Sequence, residues 1–267
     1  MISRGERLAN YAVLTLFAAI AVFPVLLILQ TALSNDQIGG GGSFHVENFA
    51  DAWDQGHFGS YLRTSVIVAI LVVGLSTLFS VLAGYAFGTM RFRGSEVLFY
   101  VILLGIMVPA EALVIALYFD LRELGLTNTL VAIVMPQVAQ STAFGTFWMR
   151  AYFRGSSREV VEAARLDGAG HWATLWRILV PMGRPAVTTM IVLVFMWTWN
   201  EFLIPLIMAT DEGLRTAPLG LAFFQGQYTS GTALLAAGAT LVALPVVVLY
   251  LFLQRHFIRG MVEGAVK

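Results

Sequence analysis

Residues 64–90 read TSVIVAILVVGLSTLFSVLAGYAFGTM, twenty-seven residues without one charged side chain. A helix needs about 20 apolar residues to cross the hydrocarbon core of a bilayer. The run is continuous rather than alternating with period two, so it reads as a membrane helix and not as a barrel strand. Five more stretches follow the same rule: 11–33, 97–119, 128–149, 186–210 and 232–254. Only two of these carry a charge, Glu111 in the third span and Glu201 in the fifth. The expectation is an all-α, polytopic protein with six transmembrane helices, forming one transmembrane domain over 1–267 with no internal repeat and no separate soluble domain.

Composition agrees. Apolar residues make up 58% of the chain and charged ones 12%, half of the roughly 25% usual in soluble domains. There are too few polar residues to cover a water-facing surface. The formal net charge of zero gives no reason to expect nucleic acid as a partner. With no cysteine, disulfides, thiolate metal sites and cysteine nucleophiles are excluded. His45, His57, His171 and His256 have no metal-ligand spacing. Arg4 and Arg7 precede the first span. That span is long for a secretory signal and no small-x-small site follows it, so it reads as uncleaved.

Basic residues set the orientation. With the N-terminus in the cytoplasm, the inner segments hold Arg4, Arg7, Arg91, Arg93, Arg150, Arg154, Arg158, Arg165, Arg177, Arg184, Arg255, Arg259 and Lys267, and the outer ones only Arg63, Arg122 and Arg215. Both termini are then expected inside.

The inner segment 150–185 is far longer than a hairpin between two helices requires, and a structureless loop of that length would be unusual. Ser156 to Glu159 has a capping-box pattern. Helix formers follow to Leu166, then the turn signal Asp167-Gly168. A second short helix is expected over His171–Leu179, ending before Pro181. Two short helices at the membrane surface make a docking element, and the small residues Ala163, Ala164, Gly168, Ala169 and Gly170 would let a partner approach closely.

Glu162-Ala163-Ala164, Gly168, Ile178 and Pro181 resemble, in residue type and spacing, the EAA loop of bacterial ABC importer membrane subunits, E-A-A-x3-G-x9-I-x-L-P. Val180 stands where that pattern has Leu. Trp199-Asn200-Glu201-Phe202-Leu203, Phe224-Gln225-Gly226-Gln227-Tyr228 and the C-terminal segment from Gln254 are similar to carbohydrate-importer permeases of the MalG type. The resemblance implies a subunit of the bacterial inner membrane that pairs, within the lipid, with a second, related permease. Two cytoplasmic ATPase subunits would bind ATP and Mg, and an extracytoplasmic solute-binding protein would deliver a sugar or polyol. It implies that Glu162, Ala163, Ala164, Asp167, Gly168, Ile178 and Pro181 couple the chain to the ATPase. It also implies that Phe223, Phe224, Gln225, Gly226, Gln227 and Tyr228, in an outer loop over 211–231, contact the binding protein. The chain itself is expected to have no catalytic residues, cofactor or metal. Independently of any family, it cannot be its own ATPase. A Walker A loop needs Gly-Lys-Ser/Thr, and the only lysine is Lys267.

An acid within a span is costly and is a functional candidate by default. Glu111 and Glu201 both lie about 21–22 Å along their spans, at 1.5 Å per residue. They are candidates for the substrate pathway, with Asn200, Trp197 and Trp199. Trp in a span is also an ordinary packing or interface residue, so a bland role stands beside the functional one. Pro109, Pro136 and Pro205 are expected to kink their helices. The competing readings are an ion-gradient-driven secondary transporter and an intramembrane enzyme. The structured inner loop and the lack of a repeat count against the first, the lack of a catalytic pair against the second.

Overall fold

A computed structural model describes residues 3–34, 44–156, 158–227 and 231–265, all of them helix, turn or coil with no strand. The helices are α1 (Arg4–Ala32), α2 (Glu47–Gln55), α3 (Phe58–Thr89), α4 (Ser95–Met107), α5 (Ala110–Glu123), α6 (Leu130–Gly155) and α7 (Arg158–Leu166). Then come α8 (His171–Ala173), a π-helical stretch Thr174–Leu179, α9 (Val180–Met182), α10 (Arg184–Asn200), α11 (Leu203–Met208), α12 (Ala217–Gln227) and α13 (Thr232–Ala265). Among the described residues α1, α3, α6 and α13 are each long and apolar enough to span a bilayer. The third and fifth expected spans are broken. α4 meets α5 at 101°, and α10 is interrupted at Glu201–Phe202 before α11.

The breaks follow proline chemistry. Pro109 forces the residue before it out of the helical region, and Val108 sits at φ −83°, ψ 123°. Pro205 lacks an N–H for the carbonyl of Glu201 and its ring crowds that carbonyl. Glu201 is extended there, with ψ 123°. α6, in contrast, continues through Pro136 without a break.

The contacts divide the chain into two units, Met1–Gly59 with Gly220–Pro245, and Ser60–Leu219 with Val246–Lys267. In the first, Ala32, Ala52 and Ala237 form a small core, and Phe58 meets Phe224 edge to face at 5.7 Å. Asn48 Nδ2 donates to the carbonyls of Ala32 and Ser34, both at 2.9 Å, closing the end of α1.

The second unit centres on α6. Gly84 and Gly88, one turn apart on α3, let the two backbones meet. A Cβ on Gly84 would stand 2.5 Å from Met149 Cβ, and one on Gly88 2.8 Å from Phe153 Cβ. In lipid the apolar surfaces gain nothing from leaving water, so such close packing is what holds helices together. Polar bonds mark two levels. At one, Arg150 near the end of α6 reaches Glu96 at the start of α4 and the Phe87 carbonyl near the end of α3. At the other, the start of α6 meets the end of α11 through Asn128 N to Met208 O at 2.9 Å, and Asn128 Oδ1 accepts from Asp211 N. The start of α3 joins that second level through Tyr61 Oη to Glu212 at 2.7 Å and through Ser65 Oγ, which accepts from Ala217 N.

Candidate functional site

The segment between α6 and α10 folds into two helical pieces, as its local signals require. α6 continues to Gly155, past the expected boundary. Ser156 ends it, its hydroxyl donating to Tyr152 O at 3.1 Å. α7 is described from Arg158; the expected capping box from Ser156 to Glu159 runs through residue 157, which lies outside the described residues.

α7 stops in a Schellman motif. Ala169 N donates to Ala164 O (2.9 Å) and Gly168 N to Arg165 O (3.0 Å), with Gly168 at φ +79°. The motif pairs the last free carbonyls of a helix and needs a left-handed residue that glycine supplies without strain. One face of α7 turns inward through Ala164, which is buried, and Val161. Glu162, Ala163, Arg165, Leu166 and Asp167 face out. Leu166 is 89% exposed and Trp172, just beyond, 68%. Both stand on a knob edged by charges. Sequence reasoning did not single out either one.

The second piece runs from His171 to Met182 without stopping at Leu179. Ahead of Pro181 the helix widens, and Val180 N donates to Leu175 O five residues back. A π-turn of this kind relieves the crowding that a helical proline imposes on the carbonyl four residues before it. Ile178 and Pro181 are half-buried here, so they shape the segment, while Glu162, Ala163, Asp167 and Gly168 present it.

Side chains of α3 and α6 hold the segment in place. Tyr85 Oη lies 3.0 Å from His171 Nδ1, and its ring meets Phe153 edge to face at 5.7 Å. Tyr152 Oη donates to Leu179 O and Trp148 Nε1 to Ala186 O, each at 3.0 Å. Arg150, nearly buried, gives both Glu96 oxygens a bond from one nitrogen (2.8 and 2.9 Å), donates to Phe87 O and lies 3.7 Å over the Phe99 ring. No sequence motif flagged Tyr85 or this arginine clamp.

The pathway candidates separate. Glu201 Oε1 accepts from Ile204 N at 2.9 Å and so caps α11, a job created by the break. Glu111 stands exposed in the first turn of α5, where the positive end of the helix favours an acid. Trp199 is buried and stacked on Phe195, while Trp197 is half exposed against Phe144 at 4.8 Å. Asn200 Nδ2 donates back to Met196 O. The expected outer loop 211–231 is largely helical, since α12 takes in Phe223 to Gln227. Ser65 satisfies the first N–H of α12, and Ala217 and Leu219 are buried, which favours helix there. Phe224 packs inward on Phe58 rather than outward. The side chains of Phe223, Gln225 and Gln227, and all of Tyr228, lie outside the described residues. Among the described residues no group of His, Asp or Glu could hold a metal ion.

Residues 76–263 match the family described as "Binding-protein-dependent transport system inner membrane component". A probable ABC transporter permease protein, YurM of Bacillus subtilis, is 35% identical over 260 residues, which is 95% of this chain and 86% of the relative. The arabinooligosaccharides transport system permease protein AraQ of Halalkalibacterium halodurans is 32% identical, over 94% of this chain and 92% of its own. The fold is similar to that of a solved bacterial ABC transporter involved in import of the acidic polysaccharide alginate, with a TM-score of 0.82 at 23% identity, over 96% of this chain and 99% of that one.

Proposed function

The chain belongs to the family of binding-protein-dependent transport system inner membrane components, and on that premise we propose that it is one of two related membrane subunits of an ATP-driven importer. The observation that carries this reading is the exposed knob at 158–172, held to α6 and α3, whose first helix stops at a left-handed Gly168. A partner ATPase that closes on ATP would receive Leu166, Trp172, Glu162, Ala163 and Asp167 in a cleft. It would move the segment, and switch a pathway shared with the second subunit between outward- and inward-facing states. ATP and Mg belong to that partner, and this chain has no catalytic step.

The cargo is a sugar or related polyol, a reading supported by the arabinooligosaccharide permease among the relatives. An extracytoplasmic binding protein delivers it, and the segment around α12 is the proposed landing site, without Phe224. The knob side is cytoplasmic, and so are both termini. Among the pathway candidates Trp197, Asn200 and Glu111 keep exposed faces and are retained, while Trp199 and Glu201 are assigned to structure.

The test is reconstitution. The chain is co-expressed with the ATPase, second permease and binding protein, and uptake of labelled arabino-oligosaccharides into liposomes is followed. ATP-dependent uptake that requires the binding protein is expected. Uptake by this chain alone, driven by a proton or sodium gradient, would overturn the reading.

A further inference from the structure

The segment His171–Met182 and α10 meet at 79°, and the joint is a single buried glycine, Gly183, at φ −87°, ψ 12°. Glycine is the most permissive residue for backbone rotation. Left alone, such a joint would absorb a push instead of passing it on.

It is not left alone. Trp148 and Tyr152 are four residues apart on α6 and share a face. Tyr152 Oη bonds to Leu179 O, before the joint. Trp148 Nε1 bonds to Ala186 O, after it. Leu179 O also accepts from Gly183 N at 2.9 Å. A carbonyl has two lone pairs, so the tyrosine adds to the helical bond and does not replace it. The Tyr152 ring lies on the glycine itself, and a Cβ there would come within 2.5 Å of two ring carbons. One rigid helix thus grips both arms of the bend and fills its inner corner.

We propose that Trp148 and Tyr152 are positioning residues that lock the Gly183 elbow, so that displacement of the 158–182 segment reaches α10 as a rigid movement. The brace stands on geometry alone; its role in transmission rests on the reading of the chain as an ATPase-coupled permease.

Two measurements separate these. The chain has no cysteine, so spin labels go onto Arg177→Cys and Leu193→Cys, one on each arm. In the complex, W148F/Y152F, which keeps a ring at each position and removes both donors, should broaden the distance distribution by several Å. G183A, which keeps the donors but crowds the ring, should broaden it too. An unchanged distribution in both variants overturns the brace. In the reconstituted importer, solute moved per ATP hydrolysed should fall severalfold in W148F/Y152F while hydrolysis continues. A merely structural role would lower the amount of folded complex and leave that ratio alone. A broadened distribution with an unchanged ratio overturns the transmission role. If no ATPase binds the wild-type chain, the importer reading fails, and the transmission role with it.

Discussion

At the scale of residues, Gly168 carries the sharpest expectation. A Cβ at this position would meet nothing within 4 Å, so a substitution acts through φ +79° and not through a clash. Left-handed backbone costs an L-residue about 1–2 kcal/mol, least for asparagine. G168A should therefore lower thermal stability and the yield of co-purified ATPase, with G168N between it and wild type. Wild-type behaviour of G168A on both readouts would remove the glycine from the coupling surface. Arg150 gives a second ordering. Glu96 is 60% exposed on its side chain, whereas Arg150 is 11% exposed. The ion pair itself is then worth no more than about 1 kcal/mol, and the Phe87 carbonyl and Phe99 ring hold the rest. R150M should destabilise the purified chain clearly more than E96Q in thermal unfolding. Equal losses would mean that the charge pair is the whole clamp. Much of the knob was legible from its string of residues, Glu162 to Gly168 and on to Pro181. Its faces were not. In a nine-residue helix, hydrophobicity cannot separate a face buried by the same chain, such as that of Ala164, from one left bare, such as that of Leu166.

At the scale of elements, the prolines show where the pattern runs out. Pro109, Pro136 and Pro205 look alike in sequence, yet two open the helix and one does not. Burial three and four residues upstream, where a proline frees a carbonyl, does not separate them. Ala132 and Ile133, ahead of Pro136, are fully buried, whereas Ile20 and Ala21, ahead of Pro24, are exposed, and both α6 and α1 stay helical. The opening at Pro109 and Pro205 is not written in the residues around them. The break then gives Glu201 its task, which is why an acid that looked like a pathway residue serves as a cap. P205A should restore the missing hydrogen bond and join α10 to α11. E201A should cost about 1 kcal/mol in the parent, as caps do, and nothing measurable in P205A. Urea or thermal unfolding of the four proteins in one detergent checks this. An equal cost of E201A in both backgrounds would separate the cap from the break.

At the scale of the molecule, the question is whether each bent pair crosses the bilayer or turns back within it. Four helices qualify as spans alone, and six do if α4 with α5, and the 171–182 segment with α10, each count as one. The hydrogen bonds of the α6-centred unit bear on this. Arg150, Glu96 and Phe87 bring the ends of α3 and α6 to one level, with the start of α4. Asn128, Met208, Asp211, Tyr61 and Glu212 bring the starts of α3 and α6 to the other, with the end of α11. α3 and α6 therefore run the same way, and α4 with α5 must carry the chain from the first level to the second between them. By the same reasoning α10 with α11 climbs from the level of Tyr152 and Leu179 to that of Asn128. Single cysteines at Phe92, Leu124, Ala163 and Gly213, in a chain that has none of its own, test this without removing an arginine. Phe92→Cys and Ala163→Cys should react with a membrane-impermeant maleimide only from the cytoplasmic side, and Leu124→Cys and Gly213→Cys only from the outside. If α4 and α5 instead formed a re-entrant pair, the chain would enter α6 from the inner side. Ala163→Cys would then label from outside while Phe92→Cys stayed within. That single result would undo the six-span reading and move the knob away from any cytoplasmic ATPase.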